Sequence, residues 1–201
     1  MSYPTSAGSR YPEGATLTPE GVNFSVFSRH ATRVELLLYE CADSAAPFQT
    51  IVLDPDVHRT FFVWHVFVEG LRAGVHYTWR ADGPTDTQAS GRCFNPRKQL
   101  CDPWARAVSD VLWDRARARD PADDGGRAFR AVVSDPAFDW GGVPAAARGL
   151  DGAVIYELHV RRLHAPSVRR ASHSRGTFAR PDREDPLPEG ARHHRMSSCC
   201  R

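Results

Sequence analysis

Val22-Asn23-Phe24-Ser25-Val26-Phe27-Ser28 decides the fold. Apolar and polar residues alternate along it, and in a strand successive side chains point to opposite faces. Val22, Phe24 and Val26 therefore share one face. Pro19-Glu20-Gly21 precedes the run as a turn, Pro pre-setting φ and Gly tolerating a positive one. Upstream, Gly14-Ala15-Thr16-Leu17 reads as a short strand; downstream, Val34-Glu35-Leu36-Leu37-Leu38-Tyr39 is another and residues 49–53 a weaker one. Residues 61–68 alternate large side chains on both faces, and residues 75–81 are expected to form a hairpin with them across Glu69-Gly70-Leu71-Arg72-Ala73-Gly74. Short strands at this spacing, punctuated by Gly and Pro, predict a mainly β chain built on an immunoglobulin-like β-sandwich.

The sandwich is assigned to residues 11–110, after a flexible N-terminus over 1–10. A connector over 111–152 comes next: residues 115–126 are charged and rich in Gly and Asp, so exposed and mobile. Asn95 to Leu100 and Asp102-Pro103-Trp104-Ala105 read as ordered connections. Within 153–161, Val154-Ile155-Tyr156-Glu157-Leu158-His159-Val160 has the apolar character of a buried parallel strand. From residue 162 to 201 the chain turns rich in Arg, Ser, Pro and His with no periodicity, and disorder is expected.

The 201 residues are 41% hydrophobic and 25% charged, ordinary for a globular protein with a core. A net charge of +2 names no partner. A basic tail is one signature of a nucleic-acid arm, but no basic helix or aromatic interleaving accompanies it, so no nucleic-acid partner is expected. Cys41, Cys93, Cys101, Cys199 and Cys200 form no CxxC pair and no His spacing completes a zinc set. Their odd count fits free thiols in a reducing compartment. The N-terminus lacks a basic and then apolar leader, and no apolar run reaches membrane-spanning length, so a cytoplasmic location is expected, with no membrane partner.

No nucleotide loop, HExxH, GxSxG or metal cluster is present in the sequence, and no cofactor or metal is expected. No catalytic residue is assigned. Trp64 and Trp79 fall on the two strands of the expected hairpin. Flat indole faces stack on glucose rings, which makes the pair carbohydrate-binding candidates; the plainer alternative is that they fill the core or pack on a further domain. Trp104, Trp113 and Trp140 read as inter-domain packing. Tyr156 and His159 lie on the final strand, where polar groups at a barrel strand's end approach an active site; a structural pair is the alternative for Glu157 and His159.

An ordered set of motifs resembles a known family. Tyr11-Pro12-Glu13-Gly14-Ala15-Thr16, the stretch from Gly21 to Ser28, and Val34 to Tyr39 resemble the start of bacterial glycogen debranching enzymes of the isoamylase type. Val63-Trp64-His65-Val66, Arg80-Ala81-Asp82-Gly83-Pro84, Phe94-Asn95-Pro96, Asp102-Pro103-Trp104-Ala105 and Asp139-Trp140 continue the resemblance, and residues 154–161 resemble the first barrel strand of those enzymes. The resemblance implies a family 48 carbohydrate-binding module joined to a glycoside hydrolase family 13 (β/α)8 barrel. Such enzymes hydrolyse α-1,6 branch points of glycogen with retention, through a carboxylate nucleophile and a separate acid/base. Those carboxylates lie downstream of the first strand and have no counterpart here, so the chain is read as an N-terminal fragment with an incomplete barrel and without hydrolytic activity of its own. Two alternatives stay open: a stand-alone module whose partner is an α-glucan such as glycogen, and a scaffold domain that binds no sugar.

The tail carries a further expectation. Where the family continues Gly-Phe-Thr-Arg-His-Pro-Ser, codons permitted for Arg162-Leu163-His164-Ala165-Pro166-Ser167-Val168 can encode that run one base later. Gly176-Thr177-Phe178-Ala179 matches in frame, and residues 181–191 can encode an amphipathic helix one base later. The chain is therefore read as truncated and frameshifted after Arg161, the tail being an out-of-frame translation of high-GC DNA; a natural basic tail is the competing reading.

Overall fold

A computed structural model describes residues 2–122, 126–137, 139, 141 and 142. The expected strand at 154–160, with Tyr156 and His159, and the tail over 162–201 lie outside the described residues. The chain divides after Phe138 into two units, and every strand and helix named below belongs to the first.

The strands, in chain order, are β1 (Thr5–Ser6), β2 (Gly14–Thr18), β3 (Gly21–Phe27), β4 (Arg33–Tyr39), β5 (Gln49–Val52), β6 (Arg59–Thr60), β7 (Val63–Glu69), β8 (His76–Asp82), β9 (Ala107–Ser109) and β10 (Arg130–Val132). Two short helices intervene, α1 (Thr87–Ser90) and α2 (Arg115–Arg119). One sheet runs β1-β7-β3-β2, with β6 also paired to β7; the other runs β5-β4-β8-β10-β9. All named pairings are antiparallel.

The alternation in β3 does what its pattern requires. Val22 and Phe24 pack inward with Trp64, Val66 and Val68 of β7, against Val34, Leu36 and Leu38 of β4 and Tyr77 and Trp79 of β8. Each fully buried Val, Leu or Phe in such a core contributes about 1.5–3 kcal/mol. Phe24, Tyr77 and Trp79 meet edge to face, the closest ring centroids 4.9 Å apart. The two-sheet sandwich is as expected from the pattern.

Three local expectations change. Residues 61–68 and 75–81 do not form a hairpin: β7 pairs with β3, and β8 with β4, in the opposite sheet. The connection between them crosses the core, anchored by the fully buried Leu71. Period-2 patterning sets which face is buried but not which strand lies alongside. The stretch before Tyr11, read as a flexible N-terminus, holds a short strand and side-chain hydrogen bonds where described. Thr5–Ser6 pairs with β7, and the next residues are strapped across polar groups of β3 and β7. Asn23 Oδ1 accepts from Ser9 N (2.7 Å), Asn23 Nδ2 donates to Ser9 O (2.9 Å), and Ser25 Oγ donates to Arg10 O (2.7 Å). His65 Nδ1 lies 2.5 Å from Ala7 O, and a carbonyl only accepts, so Nδ1 carries the hydrogen. Gly8 (φ 71°) passes so close that a Cβ there would meet Asn23 Oδ1 and the backbone of β7 at 2.7 Å. Finally, β10 lies in the stretch read as connector yet completes the second sheet, and α2 begins at an Asp114 N-cap whose side chain accepts from Arg117 N at 2.8 Å.

Candidate functional site

The sequence candidates Trp64 and Trp79 are both buried, at 0% and 2% exposure. Neither presents a face to a sugar, and the correction has a local cause in each case. The Trp64 indole donates to Ser28 O at 3.3 Å and is covered by the Arg59 guanidinium, 5.0 Å from its ring centroid. The Trp79 indole donates to Asp102 Oδ2 at 3.2 Å. Asp102 also accepts from the Tyr77 hydroxyl (3.0 Å) and from Trp104 N (2.8 Å). Burial pushes the Asp102 carboxyl above the usual carboxylate range, against those hydrogen bonds, and pushes the Tyr77 hydroxyl up as well. A carboxyl with a raised pKa in a cleft suggests catalysis, but Asp102 is 3% exposed and holds three donors from the core and its own turn. It pins the 102–105 turn to the core.

Surface aromatics gather elsewhere. Thr60 pairs with Val63, leaving Phe61 and Phe62 as a two-residue turn between β6 and β7. The first position of such turns favours glycine because the backbone twist of the strands calls for positive φ there. Phe61 occupies it with φ 55° and is 78% exposed. Phe62 is exposed too, and meets the exposed Phe27 at the end of β3 with centroids 6.3 Å apart. The turn is fixed from behind: Ser28 N donates to Phe62 O at 2.8 Å and Arg59 Nε to Phe61 O at 2.9 Å.

Three arginines frame these rings. Arg10 lies 5.9 Å from the Phe61 centroid and Arg29 lies 5.2 Å from that of Phe62, while Arg59 bridges to Arg29 O. The rings supply apolar stacking faces and the guanidiniums supply planar donor forks. Alternation over residues 61–68 hides this cluster, because it makes the first two phenylalanines look like part of one continuous strand. The available signal is two phenylalanines directly after Arg59-Thr60, at a turn. Trp104, and Trp113 stacked on Phe129 (4.9 Å, 18°), are also exposed. Among the described residues no three His, Cys, Asp or Glu side chains gather as a metal site, and no helix is long and apolar enough to cross a membrane.

Comparison with known proteins bears on what this surface serves. Residues 12–105 match the family described as carbohydrate-binding module 48 (isoamylase N-terminal domain). A glycogen debranching enzyme of Cronobacter sakazakii is 36% identical over 87% of this chain, and one of Salmonella typhi is 34% identical over 85%. The chain spans 26% of the length of each. Among solved structures, a multi-modular glycogen-degrading pneumococcal virulence factor superposes with TM-score 0.53 at 20% identity, over 78% of this chain and 16% of that one. Apo pullulanase from Paenibacillus barengoltzii gives 0.50 at 21%, over 77% and 20%. At these identities the structural likeness speaks to the fold.

Proposed function

We propose that the sandwich, whose residues 12–105 match the family described as carbohydrate-binding module 48, binds α-glucan through the face formed by Phe27, Phe61 and Phe62. We further propose that it does so as the N-terminal part of an enzyme that hydrolyses α-1,6 branch linkages of glycogen in the cytoplasm. The observation that carries the reading is the family match over the same residues that present the exposed rings. The relatives at 34–36% identity are glycogen debranching enzymes, which supports the parent activity. The proposed division is module, connector, then the first strand of a barrel, with Tyr156 and His159 as candidates near its active site. With about a quarter of the relatives' length, the 201 residues are expected to release no reducing sugar from glycogen.

Native electrophoresis in gels containing glycogen tests the binding. Retardation of the wild-type chain, weakened in a Phe27→Ala/Phe62→Ala variant with an unchanged melting curve, supports the reading. Unchanged mobility at all glycogen concentrations rejects it. A scaffold role is the second reading, favoured by the exposed Trp104, Trp113 and Phe129, which suit packing against a further domain.

A further inference from the structure

We propose that the Phe61–Phe62 face recognises an anionic α-glucan, one carrying phosphate monoesters, with Arg10 and Arg29 contacting the phosphate while the rings hold the neighbouring glucose units. The inference rests on the glucan reading above and adds its chemical class.

Charge distribution is the first ground. The whole chain has a net charge of only +2, yet three guanidiniums converge on one turn. Among the described residues the single ion pair is Arg33–Glu35, at 2.6 Å. Arg10 and Arg29 have ring partners, Arg59 has a ring partner and two backbone carbonyls, and among the described residues none of the three pairs with a carboxylate. The contrast with the recess lined by Arg33, Glu35, Arg80 and Asp82 is direct, since there acidic groups offset the arginines.

The second ground is division of labour. Arg59 is half-buried and committed to the backbone and to covering Trp64. Arg10 and Arg29 are exposed, and their side chains rest on the rings. A guanidinium resting on a ring keeps its in-plane N–H groups free, and that planar fork matches phosphate oxygens in a bidentate way. A neutral glucan has no group that uses this fork so fully.

Strain is the third ground. Phe61 holds φ 55° at a position where glycine would be relaxed. Such strain persists where the surrounding structure holds it and concentrates at ligand-contacting sites. Arg59 Nε to Phe61 O is the bond that holds it here.

The test compares two gels run with the full chain: one containing phosphate-bearing amylopectin, the other the same polymer after enzymatic removal of phosphate. The wild type should bind the phosphorylated polymer about tenfold more tightly, as expected of charge-assisted bidentate contacts, and the preference should shrink as NaCl is raised. An Arg10→Gln/Arg29→Gln variant keeps every described backbone hydrogen bond and should retain the wild-type melting curve while losing the preference. Phe61→Gly should raise the melting temperature and weaken retention on both polymers. Equal retention of both polymers by the wild type overturns this inference and leaves glucan binding standing, as does a preference that survives in the arginine variant. Retention of neither polymer overturns both readings. Displacement by a single-stranded RNA oligonucleotide that binds more tightly than the phosphorylated polymer also overturns it, assigning the face to nucleic acid instead.

Discussion

Asp102 shows how one residue links a turn to the core. Its three donors come from Tyr77, Trp79 and Trp104. Asp102→Ala strips two buried side-chain donors of their acceptor, and each orphaned donor costs about 1–3 kcal/mol. A loss of about 3 kcal/mol should appear in the urea midpoint. The charge itself opposes folding. Burial raises the folded-state pKa above the ordinary value, so the native state holds a proton more tightly than the unfolded chain. That contribution is fully present below the unfolded pKa and is lost as pH rises through the folded one. The wild type should therefore gain stability relative to Asp102→Asn between pH 7 and pH 4; parallel pH curves for the two chains would refute the assignment. None of this is legible locally, because Asp102-Pro103-Trp104 reads as a turn whose core partners lie 23 and 25 residues away.

At the scale of elements, the strap and the Phe61–Phe62 turn carry the consequences. The polar residues of β3, Asn23 and Ser25, alternate with the apolar face of Val22 and Phe24; in the structure they and His65 hold residues 7–10 in place. Removing residues 2–10 breaks those four hydrogen bonds, both Tyr3–Gln49 bonds, the bond from Glu69 N to Pro4 O and the β1–β7 pairing. At about 1 kcal/mol each, the loss should exceed roughly 4 kcal/mol. A shortened chain with the full-length urea midpoint would show the strap to be incidental. Phe61→Gly acts in the opposite direction, relieving a left-handed conformation that costs a bulky residue about 1–2 kcal/mol. Alternation reveals these strands, but not that one of them is interrupted by a two-residue turn.

The whole sandwich closes only with β10. Ala131 and Val133 are buried in the core. Arg130 lies 3.8 Å from the Tyr39 ring centroid and donates to the carbonyls of Cys41, Ala42, Ser44 and Gly126. A chain ended at residue 110, the boundary suggested by composition, would lose this sealing. Compared with one ended at 137, it should be less stable by on the order of 5 kcal/mol, counting one buried Val and several charge-assisted hydrogen bonds. Matching chemical denaturation curves for the two would place the module boundary at 110 after all.

Local sequence is enough to set β2, β3, β4, β5, β7 and β8, the buried face of β3 and the family resemblance, but not the short strands β1, β6, β9 and β10. Each depends on alternation, turn residues and ordered motifs, which one dimension records. Only folding in three dimensions puts β7 and β8 in opposite sheets, seals Trp64 and Trp79 in the core, and gathers Arg10, Arg29, Phe27, Phe61 and Phe62 on one face. Those outcomes depend on which distant strands pair and on what covers each ring, and side-chain periodicity carries no information about either.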